Sequence, residues 1–461
     1  MTQETDTTSE RTTSPKQGNQ WSALRSLVLR LHFYAGVFVA PFILIAAVTG
    51  LLYVWTPQIE QALYADQLRV EPSGQTLPLS EQVRIAQAEL PGAELGAVRP
   101  ATTGEDSTRV LFDAPEEPNA SYRNTVFVDP HDGEVLGVMQ TYGSSGALPA
   151  RAWISNMHRN LHLGDAGRLY SEFAASWMWA VALGGLALWV SRNRRVRGGA
   201  RRLLIPGSGA RKGRPRSLSV HGATGLWILV GLLFLSATGM TWSQYAGANI
   251  GDLRQRLDWT TPSVSTELPE SATSAASTAD AGVDAVLATA READLDGPVE
   301  VVPPAEPGSS YLVKQVDLSW PTGADSAAID PATAEIVDVL RFDDYPVMAK
   351  LTSWGISAHM GLLFGLPNQL VLSALIAGLL AVLFLGYRMW WQRRPTRTRA
   401  LGVGRPYPRG SFGELSLPLR IAVVAVLALF GWAVPMLGVS LLLFLAVDAL
   451  LGWRARRTGA A

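Results

Sequence analysis

Residues 31–55 read LHFYAGVFVAPFILIAAVTGLLYVW and carry no charge apart from His32. As a helix such a run reaches about 37 Å, enough to cross ~30 Å of hydrocarbon. It is too long for the apolar core of a signal peptide and lacks a clear small-residue cleavage site, so it reads as an uncleaved membrane span. Further apolar runs lie at about 172–191, 220–243 and 363–388. The stretch 419–452 is apolar throughout, with Pro435 near its middle. Arg420 and Arg454, Arg456 and Arg457 flank it on both sides. A single span would leave one basic set outside, so a hairpin of two short spans is expected.

Composition agrees with that class. Of 461 residues 48% are apolar and only 17% charged, against roughly 25% charged in soluble domains. Net charge is zero, so no global field favours nucleic acid. The absence of cysteine excludes disulfides, thiolate metal sites and c-type haem attachment. Any redox cofactor must therefore take histidine or another non-sulfur ligand, and the chain has six histidines.

Charge placement sets the expected orientation. Residues 192–216 hold ten Arg/Lys and 388–409 hold seven, with no acid in either. Residues 56–157 carry 14 acids against 6 bases, and 244–350 carry 18 against 6. The basic segments are expected in the cytoplasm and the acidic loops outside, giving six spans with both termini cytoplasmic. The predicted order is a disordered tail (1–20), a first span (22–55), an external module (56–157), and a second span with an outer histidine segment (158–191). A basic loop (192–219), a third span (220–243) and a second external module (244–358) with a flexible linker (261–281) follow. A fourth span with its histidine segment (359–388), a basic loop (389–418), the hairpin (419–452) and a cytoplasmic tail (453–461) complete the chain.

The sequence is internally duplicated. At an offset of 201, Asp129-Pro130 matches Asp330-Pro331, Trp153 matches Trp354, His158 matches His359 and Gly164 matches Gly365. At an offset of 189, His32 and Gly36 match His221 and Gly225, and Thr49-Gly50 matches Thr238-Gly239. The repeated unit is span, external module, span. Each module opens on an amphipathic helix (80–90 and 282–293) and continues as strand, Asp-Pro turn, strand, which predicts a small α+β fold.

Four histidines fall at duplicated positions. His32 and His221 begin spans next to basic segments, at one depth near the inner face. His158 and His359 precede spans that enter from outside, at one depth near the outer face. From His32 to Trp55 is about 35 Å of helix, so the two pairs cannot share one iron. Two facing imidazoles at one depth suit a b-type haem, which takes one axial nitrogen on each side of its iron. Gly36 and Gly225 lie one turn beyond their histidines on the same face, where a missing side chain leaves room for a porphyrin. The alternative is that these histidines are hydrogen-bonding anchors at the membrane interface. His162 stands four residues after His158, hence on the same helical face; it is a candidate alternative ligand, a propionate contact or a group that supports the ligand. His131 reads as a turn residue, and its counterpart is Ala332. Arg159 and Arg168 fit either haem propionates or a headgroup boundary. Glu172, at the outer end of a span, reads as a cap or a headgroup contact rather than a proton carrier, and Asp448 as a paired or snorkelling acid. GSGARKG (207–213) lacks the spacing and strand of a phosphate loop.

The segments LHFYAGVFVAPFILIAAVTGLLY, MHRNLHLGDAGRLY, SVHGATGLWILVGLLFLSATGMTW and AHMGLLFGLPNQL resemble the PepSY-associated transmembrane family of bacterial membrane proteins, over roughly 22–395. The FVDPHDGEVLG and AIDPATAEIVD turns look like those of PepSY modules. The resemblance implies a polytopic helical protein of the bacterial cytoplasmic membrane with two extracytoplasmic PepSY-like modules. It implies kinship with iron-regulated proteins, some of them di-haem ferric-siderophore reductases, and carries His32, His158, His221 and His359 over as axial ligands of two b haems. Electrons would come from a cytoplasmic donor or a membrane quinol and leave to a ferric siderophore. A non-enzymatic protein whose modules bind a peptide or a protease is the alternative.

Overall fold

The computed structural model describes residues 20–117, 119, 121–194, 199–206, 212–268, 280–393 and 412–457. Residues 1–19 of the predicted tail, 207–211 of the GSGARKG segment, 269–279 of the linker, 394–411 of the second basic loop and 458–461 lie outside them.

The chain begins with α1 (Gln20–Phe38) and α2 (Ala40–Val54), followed by the short α3 (Thr56–Leu63) and α4 (Ala65–Leu68). Next come α5 (Leu79–Glu89) and strands β1 (Leu95–Arg99), β2 (Thr108–Asp113), β3 (Tyr122–Val128) and β4 (Val135–Tyr142). Helices α6 (Pro149–Asn160), α7 (Gly164–Asn193), α8 (Gly199–Leu204), α9 (Arg214–Met240) and α10 (Tyr245–Arg256) follow. The second half repeats the plan with α11 (Gly282–Glu292) and β5 (Val299–Val302), β6 (Tyr311–Gln315), β7 (Ser326–Ile329) and β8 (Ile336–Leu340). It ends with α12 (Val347–His359), α13 (Leu366–Trp391), α14 (Leu417–Ala433) and α15 (Pro435–Arg457).

Helices α7, α9, α13 and α15 are long and apolar enough to cross a membrane, and α1 with α2 forms a further, bent candidate. Their outward residues are large and apolar, such as Phe38, Trp227, Val230, Phe384 and Val439, each more than 60% exposed. Such surface is solvated by lipid tails rather than water. The chain is a multi-pass membrane protein with four to five candidate spans. The expected sixth is short: the 17 residues of α14 reach only about 26 Å. The hairpin region does turn at Val434–Pro435, and α14 packs on α15 with Gly431 against Gly438.

The first span also departs from the unbroken helix expected over 31–55. Pro41 has no N–H to give the Val37 carbonyl, so the helix breaks at Val39. The Tyr387 hydroxyl donates to that Val37 carbonyl instead, at 2.9 Å.

The contacts divide the chain into two units. The first comprises Met1–Ala40, Trp177–Leu229 and Val382–Ala461; the second comprises Pro41–Ser176 and Val230–Ala381. In the first unit, Asp448 of α15 pairs with the buried Arg30 of α1, as a paired acid at that depth should.

The second unit contains the strands. Two separate modules with two or three strands each were expected. The structure has one eight-stranded antiparallel sheet, in the order β4-β3-β2-β1-β5-β6-β7-β8. The two halves join because β1 pairs with β5, placing Val98 opposite Val301. Each half thereby covers the other's open edge. The duplicated turns match closely. Asp129 accepts from the N–H of Gly133, and Asp330 accepts from the N–H of Ala334, through main-chain carbonyls at 3.0 and 2.9 Å. Gly133 and Ala334 both take positive φ, 81° and 55°. Helix α5 buries Leu79, Val83 and Ala86, and α11 buries Val283, Val286 and Ala290. Both sets follow helical spacing and enter one valine-rich core with the sheet.

Charge also ties the seam. Arg99 of β1 donates to Glu300 of β5 at 2.6–2.7 Å, and Lys314 of β6 reaches the other carboxylate oxygen at 2.8 Å. Burial pushes Glu300 up, but the Arg99 and Lys314 charges outweigh it and hold its carboxyl below the usual range. This stabilisation is present above the unfolded carboxylate value of about 4.3 and is lost as pH falls through the lower folded value. Glu300→Ala leaves Arg99 buried beside the lost carboxylate. It is expected to destabilise the sheet by about 3–5 kcal/mol. Thermal unfolding at neutral pH measures this, and the deficit should shrink in acid.

Candidate functional site

The duplicated histidines form two pairs, one in each unit. In the first unit His32 of α1 and His221 of α9 face each other with ring centroids 6.4 Å apart and planes at 82°. Val181 and Val382, which correspond at the 201 offset, hold these rings by their main-chain carbonyls. His32 Nδ1 lies 3.0 Å from the Val181 oxygen, and His221 Nδ1 lies 3.0 Å from the Val382 oxygen. A carbonyl only accepts, so each Nδ1 carries the proton.

In the second unit His158 lies in the last turn of α6 and His359 ends α12. Thr49 Oγ1 lies 3.0 Å from His158 Nδ1, and Thr238 Oγ1 lies 2.6 Å from His359 Nδ1. Each threonine gives its one proton to a carbonyl in the preceding turn, Ile45 at 2.8 Å and Phe234 at 2.7 Å. The hydroxyl is therefore left to accept, and these imidazoles too are protonated on Nδ1.

All four rings thus keep an Nε2 lone pair, and no Nε2 is hydrogen-bonded to a described residue. A fixed Nδ1–H donor and a free Nε2 is the arrangement that orients histidine as a metal ligand. The distance between His32 and His221 fits as well. A metal about 2 Å from each nitrogen, with roughly 1 Å more to each ring centre, puts the centroids about 6 Å apart. A Cβ at Gly36 or Gly225 would meet no protein atom within 4 Å, so the space beyond His32 and His221 on their helices is open. His32 and His221 therefore fit a haem held between paired imidazoles.

Four other glycines lie beside the rings. A Cβ at Gly185 would lie 3.0 Å from His32 Cε1, and one at Gly50 would lie 3.0 Å from His158 Cε1. The corresponding contacts at Gly386 and Gly239 are 3.8 and 3.7 Å. Thr49-Gly50 and Thr238-Gly239 were visible as a repeat, but their contact with histidines more than a hundred residues away was not.

His162 is placed differently from the expectation. Helix α6 stops at Asn160, and Leu161 and His162 both take left-handed conformations with φ 53° and 55°. His158 and His162 therefore do not share a helical face. The His162 ring lies 5.1 Å from that of Trp153, and its Nε2 is 3.0 Å from the Trp153 carbonyl. His131 lies in its turn, with Nε2 2.9 Å from the Gly104 carbonyl. Arg159 donates to the Tyr142 hydroxyl at 2.7 Å. Trp354 packs with Trp320 and Phe342. Glu172 is fully buried and accepts the N–H groups of Tyr245 and Ala246, both at 2.9 Å, so it caps α10.

No curated protein matches the sequence. The family model of the PepSY-associated TM region does match, over residues 29–393, which include all four paired histidines. The chain therefore belongs to the PepSY-associated transmembrane family.

Proposed function

We propose that the protein is a b-type haem protein of the bacterial cytoplasmic membrane that carries electrons outward. One haem is held by His32 and His221, the other by His158 and His359. The observation that carries this reading is the matched set of four imidazoles, each with Nδ1–H engaged and Nε2 free. A haem bound between two imidazoles supplies one-electron redox chemistry. The chain's own part is to fix the tautomer and the orientation of each ring. The main-chain carbonyls of Val181 and Val382 do this for one pair, and the hydroxyls of Thr49 and Thr238 for the other. The electron donor is a cytoplasmic protein or a membrane quinol. The acceptor is a ferric siderophore outside, whose chelation weakens on reduction. This is a ferric-siderophore reductase reading.

Protein purified from haem-replete cells is expected to be red, with a b-type spectrum and about two haems per chain. Colourless protein from such cells overturns the reading and leaves a non-enzymatic binding protein.

The proposed topology has six spans, with α14 crossing a thinned region, and both termini in the cytoplasm. The sheet-bearing parts lie outside as two PepSY modules sharing one sheet. Reporter fusions at Arg201, Arg399 and the C-terminus are expected to report cytoplasm, and one at residue 275 the outside. An external C-terminus overturns the six-span arrangement.

A further inference from the structure

The sheet-bearing unit contains a cavity of about 290 Å³ whose walls include Arg69, Arg109 and Arg151 with Glu60 and Asp106. Both acids are already committed. Asp106 accepts from Arg69 at 2.9 Å and from the N–H and hydroxyl of Thr103. Glu60 accepts the Leu148 N–H at 2.7 Å and lies 3.6 Å from Arg151. Burial pushes its carboxyl up, against the pull of Arg151.

The arginines are not fully matched. The Arg109 side chain forms no ion pair or hydrogen bond with a described residue, and its guanidinium lies over the Phe127 ring at 5.8 Å. Burial, reinforced by the Arg99 charge, holds it below the usual arginine range. It remains a cation at any physiological pH. Arg151 is only 9% exposed, and its Nε and Nη2 have no hydrogen-bond partner. Three bases against two acids leave the cavity one positive charge in excess, and the Arg109 guanidinium has no acceptor among the described residues. Buried donors of this kind are costly to leave unmade, and a carboxylate satisfies a guanidinium fork with two parallel hydrogen bonds.

Size narrows the ligand. A whole siderophore does not fit, and a single phosphate underfills the space. From the unpaired Arg109, the excess of positive charge and this volume we infer that the cavity binds a small di- or tricarboxylate, held by Arg109 and Arg151 with Arg69 at its edge. Arg151 and His158 are seven residues apart on α6, on one face and about 10 Å apart along its axis, so the site is separate from the histidine pair. The inference does not rest on haem binding.

The test is calorimetric titration of the full chain in detergent with citrate, with inorganic phosphate and acetate as comparison ligands. Citrate is expected to bind one saturable site, at least tenfold tighter than phosphate or acetate. Arg109→Gln and Arg151→Gln should each weaken it at least tenfold. Gln61→Glu places a negative charge at the cavity wall without touching the arginines and should weaken citrate at an unchanged unfolding temperature. His158→Ala should bind citrate as the wild type does, whatever its haem content, which separates this site from the haem reading. Absence of saturable citrate binding, equal binding by Gln61→Glu, or tighter binding of phosphate than of citrate overturns the inference.

Discussion

His221→Ala protein from haem-replete cells is expected to carry about one haem where the wild type carries two, and His359→Ala protein to carry the other one. The loss is near complete at each site because the neighbouring rings offer no substitute ligand. His32 faces His221 at 6.4 Å, and its other nitrogen is occupied by the Val181 carbonyl. It cannot take both axial positions. The same holds for His158, whose Nδ1 is held by Thr49. The two variants should differ in behaviour. With His221 replaced, the remaining haem should no longer be reducible from the cytoplasmic side. With His359 replaced, the remaining haem should be reduced but should not discharge to an external acceptor. His131→Ala should leave haem content unchanged. His162→Ala should do the same, because its ring is committed to Trp153. Pyridine-haemochrome stoichiometry on the four purified variants decides this. Unchanged haem in both His221→Ala and His359→Ala would make these residues interface anchors.

The choice of these histidines was legible in the sequence. Duplication at offsets of 201 and 189 singled out four of six histidines and paired them by depth. That works because a repeat preserves spacing, and a span's end fixes depth. The groups that hold the rings were not legible. Val181 and Val382 act through main-chain carbonyls, which no side chain announces. Thr49 and Thr238 meet histidines 109 and 121 residues away, so only packing brings them together. The His162 error has a local cause. Helical spacing assumes that the helix continues, but α6 ends at Asn160 with two non-glycine residues in the left-handed region. Glycine, the usual signal for that conformation, comes only at Gly164. Edge pairing of β1 with β5 was hidden for the opposite reason: each half reads as complete in itself, and one residue pair at the seam carries no sequence signal. Pro41 was in plain view within the first apolar run, and the break at Val39 follows from its missing N–H.

The glycines beside the rings provide the second large effect, and its asymmetry is informative. Gly185→Leu is expected to abolish the His32–His221 haem with both histidines intact. The first atom of the new side chain would sit 3.0 Å from His32 Cε1, and the rest would occupy the space of the ring. Gly50→Leu should do the same to the His158–His359 haem. Gly386→Ala should be tolerated, since 3.8 Å from His221 Cε1 is ordinary van der Waals contact. Gly185→Ala falls between them, because a methyl at 3.0 Å requires the imidazole to give by a few tenths of an ångström. That small displacement acts on a ring whose Nδ1 is already fixed to the Val181 carbonyl, so it turns Nε2 away from its partner. Helix propensity acts in the opposite direction. Replacing a helical glycine by alanine favours the helix by about 1 kcal/mol. A variant that loses haem while its thermal unfolding temperature holds or rises therefore reports the ring contact, not a damaged fold. Gly185→Leu protein that retains two haems with a wild-type spectrum would show that His32 is not oriented by this contact. It would also remove the steric part of the argument for a preorganised ligand pair.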